Sequence, residues 1–258
     1  MTLTHMLLRK SWLDTRWRFL IGLAILLVGA GGIVFDYVQT AKLLPALASQ
    51  DVDTTTMTGL LVKAAIKLEQ TYRGFIWVQW FRQNLTQMGT LFAVLLGSGS
   101  VLAGPTTGGL YSLSLPASRN QWLAVRAATG LAELFVLAVI PSLTIPLLSP
   151  LIGQHYSIVD AIVHGACFFV GGAVFFSLAF LLSTVFNDIW RPLLIVCAVA
   201  VVTYLCETIL ALPGLFRVMS GWNYFRNGSL PWVGLLISAA ASAAVLYGAT
   251  INVTRKDF

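Results

Sequence analysis

Two carboxylates lie inside long apolar runs, Glu133 and Glu207. Burying a charge in lipid is costly, so such residues face a bundle interior, a cavity or a partner. Arg126 precedes Glu133 by two turns on the same helical face, with Thr129 and Gly130 between them. Thr203 and Tyr204 stand one turn before Glu207. Three roles fit this pattern. Each glutamate is either a polar spot on a substrate path, or a proton site, or it makes an interhelical hydrogen bond that fixes packing. The residues alone leave these readings open.

Other chemistries find no support. Cys167, Cys197 and Cys206 all fall in apolar runs, without CxxC spacing or paired histidines, so free buried thiols are expected and no metal site. His5, His155 and His164 are scattered, as interfacial or packed histidines would be. The chain has no G-x-x-x-x-G-K-[ST] phosphate loop, no Gly-Lys pair, no HExxH and no GxSxG. No catalytic site is expected, and any nucleotide hydrolysis must sit on another chain.

These residues need helices in lipid to position them. The 258 residues are 57% hydrophobic and 10% charged, against about 25% charged for a soluble domain. Mean hydropathy is +0.82. Several apolar stretches reach the roughly 20 residues that cross a bilayer as a helix. The expected fold is an all-α polytopic membrane protein, one transmembrane domain over 1–258, with no room for a separate soluble domain. The net charge of +6 does not indicate nucleic-acid binding, because the cations mostly flank apolar spans, where they set topology.

Residues 1–18 carry Arg9, Lys10, Arg16 and Arg18 against one Asp14. Leu3, Met6, Leu13, Trp17 and Leu20 share a third of the helical wheel, which predicts an interfacial helix with cations toward anionic lipid. Val28-Gly29-Ala30 resembles a signal cleavage site, but the basic region is too long, and a retained first span over 19–35 is expected. Asp36 closes it. The interval 36–87 reads as a long extracytoplasmic segment, with a helical stripe at Leu61, Ala65, Leu68, Tyr72 and Phe75 and an aromatic belt at Trp77, Trp80 and Phe81. Span two, 88–103, carries Gly89, Ala93 and Gly97 at the four-residue spacing that lets helices approach closely.

Span three, 122–148, holds Pro141 and Pro146, which predict a kink or an unwound end. Spans four, five and six are expected at 161–185, 193–212 and 233–251. Residues 186–192 form a tight turn, with Pro192 starting the next helix. Leu215 to Trp232 is too irregular for a span and too apolar for a free loop, so a re-entrant or interfacial segment is expected.

Between spans two and three the chain breaks. Gly104-Pro105 stops one helix, Gly108-Gly109 permits a sharp turn, and Leu115-Pro116 ends a short element too brief to cross a bilayer. Six spans put both termini on one side. That side would also hold Arg119, Arg126, Arg191, Arg255 and Lys256, so the termini and the 104–121 segment are expected to be cytoplasmic.

Residues 108–119, GGLYSLSLPASR, resemble the cytoplasmic segment of type-2 ABC exporter permeases, which typically runs from Gly-Thr-Leu to Leu-Pro-hydrophobe-Ser-Arg. FLLSTVFNDIWR at 180–191 and the ending RKDF at 255–258 are also similar to that family. The chain departs from it at Pro105-Thr106-Thr107, where members often carry a glutamate or arginine pair, and in the length of 36–87. The resemblance implies a multi-pass permease subunit in a bacterial plasma (inner) membrane. It would pair with a second permease subunit and two cytoplasmic ATP-binding subunits, where ATP and Mg would bind. It also implies that Leu110, Tyr111, Ser112, Leu115, Pro116 and Arg119 form a coupling helix seated in the ATPase subunit, and that the cargo is hydrophobic or amphipathic. Two other readings compete. One is a proton-coupled secondary transporter using Glu133 and Glu207, which should show repeated halves, and no clear repeat is present. The other is a membrane assembly subunit that transports nothing.

Overall fold

The computed structural model describes residues 3–48, 63, 66–99, 119–186, 188–210 and 214–254. Leu110, Tyr111, Ser112, Leu115 and Pro116 of the expected coupling helix lie outside the described residues, as do Thr54-Thr55-Thr56, Leu61, Ala65 and the ending 255–258.

The first helix, α1 (Leu3–Ala48), runs unbroken for 46 residues. At 1.5 Å per residue that is about 69 Å, more than twice the hydrocarbon thickness of a bilayer. The expected boundary between an interfacial helix (1–18) and a first span does not exist, and Asp36 closes nothing. The sequence of α1 has no proline before Pro45 to stop the helix, and Asp36 is exposed on its outer side. Its buried stripe is Leu7, Ser11, Thr15, Phe19, Leu26, Ala30 and Val34. The apolar stripe read from the sequence points the other way, with Met6, Leu13, Trp17 and Leu20 all exposed. In water that would be inside out. In lipid it is the expected arrangement, because apolar side chains face the tails and polar ones turn toward neighbouring helices.

The next helix also begins earlier than its hydropathy suggests. It comprises α2 (Tyr72–Ile76), a π-helical stretch (Trp77–Asn84) and α3 (Leu85–Gly97), joined without a break. The wide turns bond Leu85 N–H back to the Trp80 carbonyl. Side chains answer two further carbonyls of the stretch, Asn84 Nδ2 donating to Gln79 O at 2.7 Å and Thr86 Oγ1 to Phe81 O at 2.5 Å. Such π segments are rare and concentrate at functional sites. Trp77, Trp80 and Phe81 are not an interfacial belt; each is 1% exposed and packed in the core.

The remaining helices are α4 (Arg119–Leu148), α5 (Ile158–Val185), α6 (Trp190–Ile209), the short α7 (Leu215–Met219) and α8 (Trp222–Asn227), and α9 (Trp232–Thr254). Helix α4 passes through Pro141 and Pro146 without interruption. Neighbouring hydroxyls bond back to its carbonyls, Ser142 to Ala138 O and Thr144 to Pro141 O, each at 2.7 Å. It then tightens into a 3-10 turn (Ser149–Ile152). At the other end of the bundle Asp188 accepts from Arg191 N–H at 2.9 Å and so starts α6.

The protein is thus all-helical among its described residues, with five helices long and apolar enough to cross a membrane. They are His5–Leu43, Asn120–Ile152, Ile158–Val185, Trp190–Ile209 and Trp232–Val253. The expected second span, 88–103, is present as α3 only to Gly97, and its extension toward Tyr72 is too polar to join the five. Helix α5 is the centre of the bundle. It packs against α3, α4, α6, α7 and α9, and 61% of its apolar window is buried, against 17% for α6 and α9.

Candidate functional site: a buried charge cluster and a lateral cleft

Helix α4 buries Leu123, Arg126, Gly130, Glu133, Leu134 and Leu137 on one stripe, so two ionisable groups are carried into the bundle by helical periodicity alone. Arg126 is 8% exposed and Glu133 is 3% exposed. Parallel to them, α1 brings Asp14, Thr15 and Arg18. The Thr15 hydroxyl hydrogen-bonds Glu133 Oε1 and also lies 3.2 Å from Ser11 O. Arg126 Nη1 is 3.9 Å from Asp14 Oδ2. Glu133 Oε2 is buried without a hydrogen-bond partner among the described residues. Arg126 and Glu133 therefore share one buried region, with Arg18 and the half-exposed Asp14 balancing charge at its edge, the condition for keeping charge there.

The two arginines also meet the end of α3. Arg18 Nη1 donates to Leu95 O at 3.2 Å, which the Ser98 hydroxyl also reaches at 3.2 Å. The Arg126 guanidinium lies directly against Gly99, where no side chain would fit. Cations beside the exposed carbonyls of a helix C-terminus are favourable. Here they hold the last described turn of this helix, up to Gly99. Arg119 opens α4 where the chain returns.

Glu207 lies elsewhere, at the far end of α6. Its two oxygens accept from Phe216 N–H at 3.1 and 3.0 Å, capping the first turn of α7. Gly214 is packed so closely on this carboxylate that no Cβ would fit. The structure does not bring Glu133 and Glu207 together. Glu207→Ala is expected to lower stability by about 1–2 kcal/mol, as loss of a cap does. Glu207→Gln, which keeps one acceptor, should cost less than half of that. Thermal unfolding in detergent measures both.

Around α7 and α8 the far end is tied by polar and aromatic contacts. Asp160, on α5, pairs with Arg73 Nε at 2.9 Å and accepts from Tyr224 Oη at 3.0 Å. Trp77 Nε1 donates to Ser220 O at 2.9 Å, and its ring stacks on Phe225 with centroids 4.6 Å apart. Tyr72 Oη and Ser149 Oγ are 2.6 Å apart. Burial raises the Tyr156 phenol above its ordinary range, so it stays protonated. Gly221, at φ +63°, lets the chain turn between α7 and α8 against the His164 ring. His164 is fully buried, its Nδ1 2.7 Å from Asp160 O. Of the cysteines Cys167 is buried, Cys197 half-buried and Cys206 exposed, all as free thiols.

Between α3 and α6 there is a cleft of about 280 Å³, lined also by Phe216. Thr90, Cys197 and Ala200 form its wall, with Leu91, Val201 and Tyr204 on an exposed rim. The cleft is almost entirely apolar, and no group of three or more His, Cys, Asp or Glu gathers anywhere among the described residues.

Thr15, Ser11 and the cleft were not legible as a site. The only sequence signal for the first two is a pair of hydroxyls four residues apart on an otherwise apolar stripe. Comparison with protein-family models, with curated proteins and with solved structures finds no match for this chain.

Proposed function

We propose that this chain is the permease subunit of an ATP-driven ABC transporter and exports a hydrophobic or amphipathic substrate. Hydrolysis takes place on separate cytoplasmic subunits, which bind the 104–121 segment, and a second permease subunit completes the pathway. Helix α3, lengthened by its π-helical stretch and α2, serves as a sixth crossing. Both termini then lie in the cytoplasm of a bacterial inner membrane. The observation that carries this reading is the buried cluster. Arg18 and Arg126 join α1, the end of α3 and the start of α4 at the two roots of residues 100–118. A push on that segment would reach three helices at once. Rigid, charge-locked roots suit a segment that receives work done elsewhere. The proton-coupled alternative is less well supported, because Glu207 is spent on a helix cap.

The test is purification of the tagged full-length chain from its native membrane. An ATP-binding subunit should come with it and show ATPase activity that depends on the permease. Leu115→Asp combined with Arg119→Glu should cut that association at least about tenfold, the effect of removing an apolar anchor and reversing a charge at an interface. The permease should keep its own unfolding temperature. Retention of the subunit by the doubly substituted chain would overturn the coupling role of 104–121.

A further inference from the structure

The cleft between α3 and α6 is shaped for one kind of guest. Its α6 wall runs from Cys197 to Tyr204, two helical turns or about 10 Å, which makes it a slot rather than a bowl. Its volume of about 280 Å³ is at the lower edge of the roughly 300–1,000 Å³ usual for small-molecule sites. The two threonine hydroxyls that line it are already committed. Thr86 donates to Phe81 O and Thr90 to Thr86 O, each at 2.5 Å. What they present to the slot is methyl groups. The rim residues Leu91, Val201 and Tyr204 are 42%, 57% and 42% exposed, so the opening faces sideways, where the lipid lies.

One turn above the slot, on the stripe of Thr86 and Thr90, stands Arg82. It is exposed, its guanidinium 5.9 Å from the centre of the Trp77 ring, and among the described residues it has no carboxylate partner. The other charged groups near this end of the slot are Glu207, occupied by Phe216 N–H, Glu69, which accepts from Gln79 Nε2 at 3.5 Å, and the exposed Arg217. Both anions already have hydrogen-bond donors of their own, which leaves the Arg82 guanidinium to an incoming anion.

We propose that the slot binds a single-chain anionic amphiphile, its hydrocarbon chain between α3 and α6 and its headgroup at Arg82. At about 280 Å³, with an almost entirely apolar lining, the slot has room for little more than one hydrocarbon chain. The guanidinium, held over an aromatic face, offers several donors to a phosphate or carboxylate. Neutral lipids of the same chain length gain the slot but not the ion pair, and in a zwitterionic lipid the headgroup's own cation offsets most of the attraction between its phosphate and Arg82. That the bound amphiphile is cargo rests on the permease reading; that it binds does not.

Native mass spectrometry of the full-length chain released from detergent micelles tests this, with palmitoyl lysophosphatidylglycerol and palmitoyl lysophosphatidylcholine as probes. One molecule of the anionic lipid should be retained about tenfold more tightly than the zwitterionic one, as one charge-assisted contact provides. Arg82→Gln should erase the preference and leave zwitterionic binding unchanged. Ala200→Phe should fill the slot and abolish retention of both; Leu91→Trp, at the rim, repeats the block in case the first variant does not fold. Equal retention of the two lipids by the unaltered chain would overturn the proposal. So would a preference that survives Arg82→Gln, or retention by both blocked variants. None of these outcomes depends on whether an ATP-binding subunit copurifies, so the site and the permease reading can fail separately.

Discussion

Arg126→Met should destabilise the bundle by about 3–5 kcal/mol, the cost of leaving a buried charge without the opposite charge that compensates it. Methionine approximates the length and volume of the arginine stem, so little packing is lost. What is lost is the charge beside Glu133, which is 3% exposed and already has one oxygen without a partner. The contact of the guanidinium with Gly99 goes as well. Asp14, half exposed, has water available, so Asp14→Asn should cost no more than about 1 kcal/mol, in the range of exposed pairs. Glu133→Gln keeps an acceptor for the Thr15 hydroxyl and should be mild too. The decisive variant is the double one. Arg126→Met with Glu133→Leu leaves no uncompensated carboxylate, and at least half of the loss should return. Chemical unfolding in mixed micelles reads all four. Additive losses in the double variant would show that the two residues do not share one electrostatic site.

The parts of this cluster differ in how far they could be read from the chain. Arg126 and Glu133 are seven residues apart on a helix, so their common face follows from periodicity. Thr15 is 118 positions from Glu133, and nothing local ties a hydroxyl to a carboxylate at that distance. The helical class and most span positions were likewise legible, because lipid imposes a length and an apolarity on every crossing. Helix ends were less so. At Asp36 and at residue 19 a polarity change suggested a boundary, yet polarity only chooses which side of a helix faces out, and no proline or capping residue was there to end it. Trp77, Trp80 and Phe81 show the same ambiguity. Amphipathic rings suit an interface, but Trp77 has Ser220 O as a buried acceptor, contributed by a segment 143 residues later. The π-helical turn that aims these rings inward has no sequence signature of its own. Glu207 was read as a membrane carboxylate of open purpose. Its partner is the amide of Phe216, nine residues later and on a different helix, which the periodicity of α6 alone does not bring to it.

A second large effect is expected where α3 crosses α5. Gly97 packs on the backbone carbonyl of Phe176, and Gly89 on the tip of the Phe168 ring. The difference between those neighbours decides the outcome. A Cβ at Gly97 meets main chain in the middle of α5, a helix held on several sides, and that main chain cannot turn aside. Gly97→Ala should therefore cost at least the upper end of the roughly 1–3 kcal/mol typical of overpacking, and Gly97→Val should prevent folding. A Cβ at Gly89 meets the far end of a side chain, so Gly89→Ala should cost less, and Phe168→Leu should restore most of it by withdrawing the ring. Gly32 supplies the contrast. Nothing lies within 4 Å of a Cβ there, and it sits inside α1. Gly32→Ala should therefore stabilise by about 0.5–1 kcal/mol, the ordinary gain in helix propensity. Unfolding temperatures of the four variants in one detergent give the ranking. If Gly97→Ala proves as benign as Gly32→Ala, α3 and α5 do not touch where they are described as touching. The central packing of the bundle, and with it the position of the slot and of the charge cluster, would then have to be redrawn.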